Sequence, residues 1–223
     1  MLIAAALVAA AGAAAILVAL LAITPIVDRY RQRILRRCLR EVTTVLNEHH
    51  VDYWLDFGTL LGFHREHDII RADYDVDVSM LEAGKPALLA CSDALKVRGY
   101  TLADSNGTTK MVVRISDRRS AYYVDVYTYR PDGAILRSPY RREDDVPPDL
   151  VAERVEVSFL GGTMRVPRDA DRLLLYRYGP TFMTPRRADQ GPAYGYRRWE
   201  SFVRLLENNC VAFWSVLRGL TAP

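Results

Sequence analysis

The chain is short of cysteine and histidine, and a long stretch near its start carries no charge at all. Three cysteines in 223 residues, Cys38, Cys91 and Cys210, form an odd and scattered set. They exclude the disulfide framework of a small secreted domain and match no zinc spacing. The four histidines include His64 and His67, which lack the spacing of a helical zinc-protease motif. Neither sign of charge dominates: 30 Lys and Arg against 27 Asp and Glu leave a net charge of +3. With no nucleic-acid module in view, no nucleic-acid partner is expected. There is no internal repeat. The only compositional run is Ala-rich and lies within Leu2–Val27, where no charged residue occurs.

About 20 apolar residues cross the hydrocarbon core of a bilayer. A cleaved signal peptide would place basic residues before a shorter apolar core, and none precede this one. A retained single-pass membrane anchor over residues 1–27 is therefore predicted. Arg29, Arg31, Arg33, Arg36, Arg37 and Arg40 follow at once. They predict a cytoplasmic catalytic domain by the positive-inside rule, or a lumenal one in a eukaryotic secretory pathway. Asn106-Gly-Thr108 is a formal glycosylation acceptor, but Asn-Gly reads first as a turn. Residues 28–50 read as a basic amphipathic helix, with Ile34, Cys38, Val42 and Leu46 on one face and arginines free to meet anionic headgroups.

The richest stretch is 53–78. A Gly58-Thr59 turn precedes a strand bearing Asp75 and Asp77. Side chains two apart in a strand share a face, so these carboxylates are neighbours, while Val76 and Val78 point into a core. Two adjacent carboxylates repel unless a cation joins them. A hard ion, Mg²⁺ or Mn²⁺, suits one or two carboxylates plus substrate phosphates. Gly58 permits close approach of backbone to ligand. Thr59 offers a hydroxyl to a phosphate or to the backbone. Asp125 lies amid the apolar strand Ala121–Tyr129, where a charge is unexpected without a partner. It either completes the metal site, acts as general base, or pairs with Arg114 or Arg118.

Elsewhere, Pro86–Arg98 reads as a helix stopped by Gly99, and Met111–Ile115 as a strand. Pro131-Asp-Gly133 turns the chain into Ala134–Leu136. Residues 141–148 read as a surface loop. Strands on either side of Gly161-Gly162 suggest a hairpin. Asp169 or Asp171 caps a helix that ends at Gly179. Tyr196–Leu217 reads as a final helix with a broad apolar face, on the domain core or the membrane surface.

The order Gly58-Thr-Leu-Leu-Gly62, Arg65, Ile70, Asp73-Tyr-Asp75-Val-Asp77 resembles the LicD family, which includes the fukutin-related proteins. A second block resembles its C-terminal signature: Phe159-Leu-Gly-Gly162, Val166-Pro167, Leu173, Leu175 and Arg177-Tyr178-Gly179. The resemblance implies an α+β fold: a nucleotidyltransferase-like mixed sheet flanked by helices, here over residues 51–190, with 191–223 as a C-terminal helix. It implies transfer of an alcohol phosphate, such as phosphocholine or ribitol phosphate, from a CDP-alcohol donor to a glycan acceptor. By the same resemblance Asp75, Asp77 and Asp125 are metal ligands, and Arg65 contacts phosphate or braces the metal loop. Lys110 is a further phosphate contact or a plain surface lysine. Relatives carry Pro-Trp where this chain has Arg71-Ala72, so Arg71 adds a candidate phosphate contact. A minimal catalytic domain is expected. Two other readings use the same residues. One is a sugar-nucleotide glycosyltransferase with a metal on Asp-x-Asp, and the other is a non-catalytic glycan-binding scaffold.

Overall fold

A computed structural model describes residues 25–26, 28–71, 73–104, 111–115 and 123–185. The expected membrane segment, except for 25–26, lies outside the described residues. So do Asn106, Lys110, Arg118 and the Tyr196–Leu217 helix. Among the described residues no helix is long and apolar enough to cross a membrane.

The first helix, α1, covers 28–48. It buries Leu35, Cys38, Leu39, Val42, Val45 and Leu46, a stripe at helical spacing one residue wider on each turn than the sequence pattern suggested. Ile34 lies at its margin, partly buried against the core. The arginines do not all reach outward as expected. Arg31 is 2 % exposed, and Arg36 forms a two-pronged pair with Asp68, at 2.7 and 2.5 Å. Arg29, Arg33, Arg37 and Arg40 remain exposed.

Strand β1 (Tyr53–Leu55) leads into helix α2 (Phe57–Glu66) and strand β2 (Val76–Leu81). The expected single helix over Pro86–Arg98 is two short ones, α3 (Lys85–Ala90) and α4 (Ser92–Val97), broken at Cys91. Strands β3 (Tyr100–Asp104), β4 (Met111–Ile115), β5 (Tyr123–Asp132) and β6 (Ile135–Arg137) follow. The central sheet runs β1-β2-β5-β4-β3, with β6 on the far end of β5. Among the described residues, only β2 and β5 pair in parallel. The fold is thus α+β with a mixed sheet. β2 is buried along most of its length, and β5 over its first part before it runs out to exposed residues at 130–132, which suits their β-branched and aromatic residues.

The hairpin β7 (Arg154–Phe159) and β8 (Gly162–Pro167) forms as expected, and α5 (Ala170–Tyr178) follows. Asp169 stands at the N-cap of α5 without a capping side-chain bond, and Gly179 closes the helix with φ 76°. Residues 141–151 are not an open loop. Two 3₁₀ turns, Arg142–Asp144 and Pro148–Val151, flank Val146, which is fully buried and bridges Leu136. Burying Val146 and Leu150 draws this polar segment back onto the core beneath α5.

Candidate active site

In the parallel register Asp77 stands directly opposite Asp125. Asp75 precedes the first ladder residue of β2 and lies on the same face. One carboxylate oxygen from each of Asp75, Asp77 and Asp125 falls within 4.8 Å of the others. Asp125 is 1 % and Asp77 8 % exposed, while Asp75 is only half-buried and opens the group to solvent. Three oxygens at that spacing suit octahedral coordination by a small hard cation. Their mutual repulsion is what such an ion relieves.

The start of α2 holds this group in place. The Gly-Thr pair is the first turn of the helix itself. Asp56 caps it, its carboxylate accepting the Phe57 N–H at 2.8 Å. Thr59, 1 % exposed, accepts the backbone N–H of Asp77 at 2.7 Å, and the Asp77 carbonyl accepts the Asp56 N–H at 3.3 Å. The Thr59 oxygen therefore serves the backbone. Gly58 faces Asp73: a Cβ there would lie 2.7 Å from Asp73 Oδ2. Burial, with help from Asp75 and Glu66, pushes the Asp73 carboxyl up to about 7. Arg65 counters that shift and is itself held by Glu66. Arg71 is largely exposed and reaches Asp28 at 3.2 Å. Tyr127 follows Asp125 on the same face, its ring 4.7 Å from that of Phe57. Burial, then the charges of Asp77, Asp125 and Asp75, raise its phenol far above its ordinary range, so it remains a neutral hydroxyl beside the acids.

The sequence reading missed a second centre on the same sheet face. Asp56, wholly buried, accepts from Arg177 Nε at 2.9 Å and Arg177 Nη2 at 2.7 Å. It also accepts from Ser79 Oγ at 2.7 Å, Trp54 Nε1 at 3.2 Å and the Phe57 N–H. Arg177 Nη2 further donates to the Tyr129 hydroxyl at 3.0 Å, and its guanidinium lies 4.0 Å from the Phe57 ring centroid. Burial lowers the Arg177 pKa, but Asp56 and Tyr129 outweigh it and hold the group charged. Phe57, with φ 45°, sits in a region that costs a non-glycine residue about 1–3 kcal/mol. The cap bond, Arg177 and Tyr127 surround it. The signals for this centre were an acid just ahead of Gly58-Thr59 and an arginine inside the C-terminal block.

Ribitol 5-phosphate transferase FKRP from mouse and from human are each 29% identical over 157 residues, covering 66% of this chain. The chain spans about a third of those relatives, 32% of their length. Among solved structures, the antibiotic-resistance factor ANT(2'')-Ia is 14% identical with a TM-score of 0.46, over 85% of this chain and 96% of that one. The lincosamide antibiotic adenylyltransferase LnuA is 14% identical with a TM-score of 0.41, over 78% and 94%. The family model for the LicD/FKTN/FKRP nucleotidyltransferase domain matches residues 50–169, a span that contains all three carboxylates. The chain belongs to the LicD/FKTN/FKRP family.

Proposed function

We propose that this chain is a metal-dependent transferase that moves an alcohol phosphate, ribitol phosphate or phosphocholine, from a CDP-alcohol to a glycan hydroxyl. The observation that carries the reading is the convergence of Asp75, Asp77 and Asp125, with ligand atoms within 4.8 Å of one another, inside a matched nucleotidyltransferase domain. The name of the FKRP relatives supports the phosphate-transfer class.

In this reading the three carboxylates hold Mg²⁺ or Mn²⁺. The ion, when bound, supplies Lewis-acid neutralisation of the donor diphosphate. Asp125 takes the proton of the acceptor hydroxyl. The acceptor oxygen forms a bond to the phosphorus that carries the alcohol, the bond from that phosphorus to the bridging oxygen breaks, and CMP leaves. Tyr127, kept neutral, donates a hydrogen bond within the site. Arg65 and Lys110 balance phosphate charge, as does Arg71 if the donor draws it inward from Asp28. Residues 2–27 anchor the chain in a membrane, with the domain on the side that keeps the arginine-rich segment.

The test is CMP release by the full chain, across a panel of CDP-alcohols with Mg²⁺ or Mn²⁺. Release by the wild type and loss in Asp75→Asn and Asp77→Asn are expected. A preference for UDP-sugars over every CDP compound would overturn the reading.

A further inference from the structure

Two of the three acids are fixed by sheet register, but the third is not. Asp77 and Asp125 sit opposite each other in the ladder. Asp75 lies ahead of β2, so its place depends on the loop that brings the chain back from α2. That loop, 68–74, is gripped from two sides. On the α2 side it crosses Gly62 and Gly58. A Cβ at Gly62 would come within 2.4 Å of the Asp68 carbonyl oxygen and 3.1 Å of the Ile70 nitrogen.

On the other side α1 reaches it with side chains about one turn apart. Arg36 takes both oxygens of Asp68. Gln32 Nε2 donates to the Ile69 carbonyl at 3.3 Å. Arg31 Nη2 donates to the Arg71 carbonyl at 2.7 Å and to Asp28 Oδ1 at 2.9 Å, and its guanidinium lies 4.2 Å from the Tyr74 ring centroid. A buried guanidinium is costly unless its bonds are specific. Here Asp28 supplies the counter-charge, and the remaining contacts go to the Arg71 carbonyl and the Tyr74 ring, ahead of Asp75.

We propose that Arg31 is a positioning residue for the carboxylate trio: it holds Arg71 and Tyr74 and thereby sets the approach of Asp75 to Asp77 and Asp125. This rests on the metal-site reading above. Nη2 alone donates to the Arg71 carbonyl and to Asp28 while the guanidinium lies over the Tyr74 ring; a lysine, on a shorter stem and without a planar group, does not set a donor at that place and a flat face on the ring together.

The test uses the full chain with Arg31→Lys. A matched control is Arg154→Lys: Arg154 also bonds backbone carbonyls, of Val151 and Ala152, but away from this loop. Mn²⁺ affinity is measured by titration, and amide hydrogen exchange is followed over residues 70–77. In Arg31→Lys, Mn²⁺ binding weakens about 10-fold or more, in the range for groups that orient metal ligands, and exchange over 70–77 rises. In Arg154→Lys neither changes, although both variants melt earlier than wild type. Wild-type Mn²⁺ affinity in Arg31→Lys, or equal weakening in the control, overturns the proposal. Should Arg31→Lys not fold, Tyr74→Leu carries the same expectations. A wild type that binds Mn²⁺ but releases no CMP from any CDP-alcohol sinks the transferase reading and leaves this one standing. A wild type that binds no Mn²⁺ sinks the metal reading. Exchange over 70–77 then decides the clamp, and unchanged exchange in Arg31→Lys overturns it.

Discussion

Two acidic centres lie a few residues apart on one face of the same sheet, and they are built on opposite plans. At Asp56 the counter-charge comes from the chain itself. A guanidinium grips both carboxylate oxygens, and a hydroxyl, an indole and a backbone N–H complete the set. At Asp75, Asp77 and Asp125 like charges face one another within 4.8 Å. The first arrangement fixes the start of α2 against β1 and α5. The second sets one oxygen from each of three carboxylates within reach of a single cation. A buried acid bonded on every side by its own chain reads as structural, and a cluster of acids as a candidate site.

Substitution separates the two plans. Arg177→Ala strands a buried carboxylate and destabilises the fold by about 3–5 kcal/mol, read as a lower urea midpoint. Asp77→Asn does the reverse: it removes one of three repelling charges, so the urea midpoint is unchanged or higher without metal, while CMP release falls at least about a thousandfold. A loss of activity without loss of stability in Arg177→Ala would erase the distinction. Gly62→Ala drives a methyl into the Asp68 carbonyl. It costs about 1–3 kcal/mol and weakens Mn²⁺ binding as well, because the displaced loop leads directly into Asp75.

The smallest effect belongs to the half-exposed pair of Arg36 and Asp68. The hydrogen bond from Arg36 outweighs burial and holds the Asp68 carboxyl below its ordinary range. A depressed carboxyl contributes stability above its unfolded pKa of about 4 and loses it as pH falls through the folded value. Removing the pair with Arg36→Ala costs at most about 1 kcal/mol at neutral pH, and that difference vanishes in acid. Urea melts at neutral pH and well below pH 4 check both limbs.

Legibility from sequence followed how local each interaction is. The shared face of Asp75 and Asp77 follows from strand periodicity, and the Gly161-Gly162 hairpin from turn chemistry. The opposition of Asp77 and Asp125 does not, because β2 and β5 are parallel partners separated by two other strands. Asp56 and Arg177 meet across 121 positions, and neither residue type carries a pattern that names its partner. The arginines of α1 looked alike in sequence. Only the packed loop distinguishes buried Arg31 from exposed Arg33. Residues 141–148 looked polar enough for solvent, yet Val146 is buried and bridges Leu136.

The central parallel pair also sets an order of assembly. Parallel neighbours cannot be joined by a hairpin, so β2 waits unpartnered on that edge while β3 and β4 are synthesised, and only then does β5 slot in beside it. Contacts so distant along the chain form late. A truncated product ending before residue 123 holds two of the acids but lacks the strand that aligns them. The three carboxylates therefore come together only with completion of the sheet.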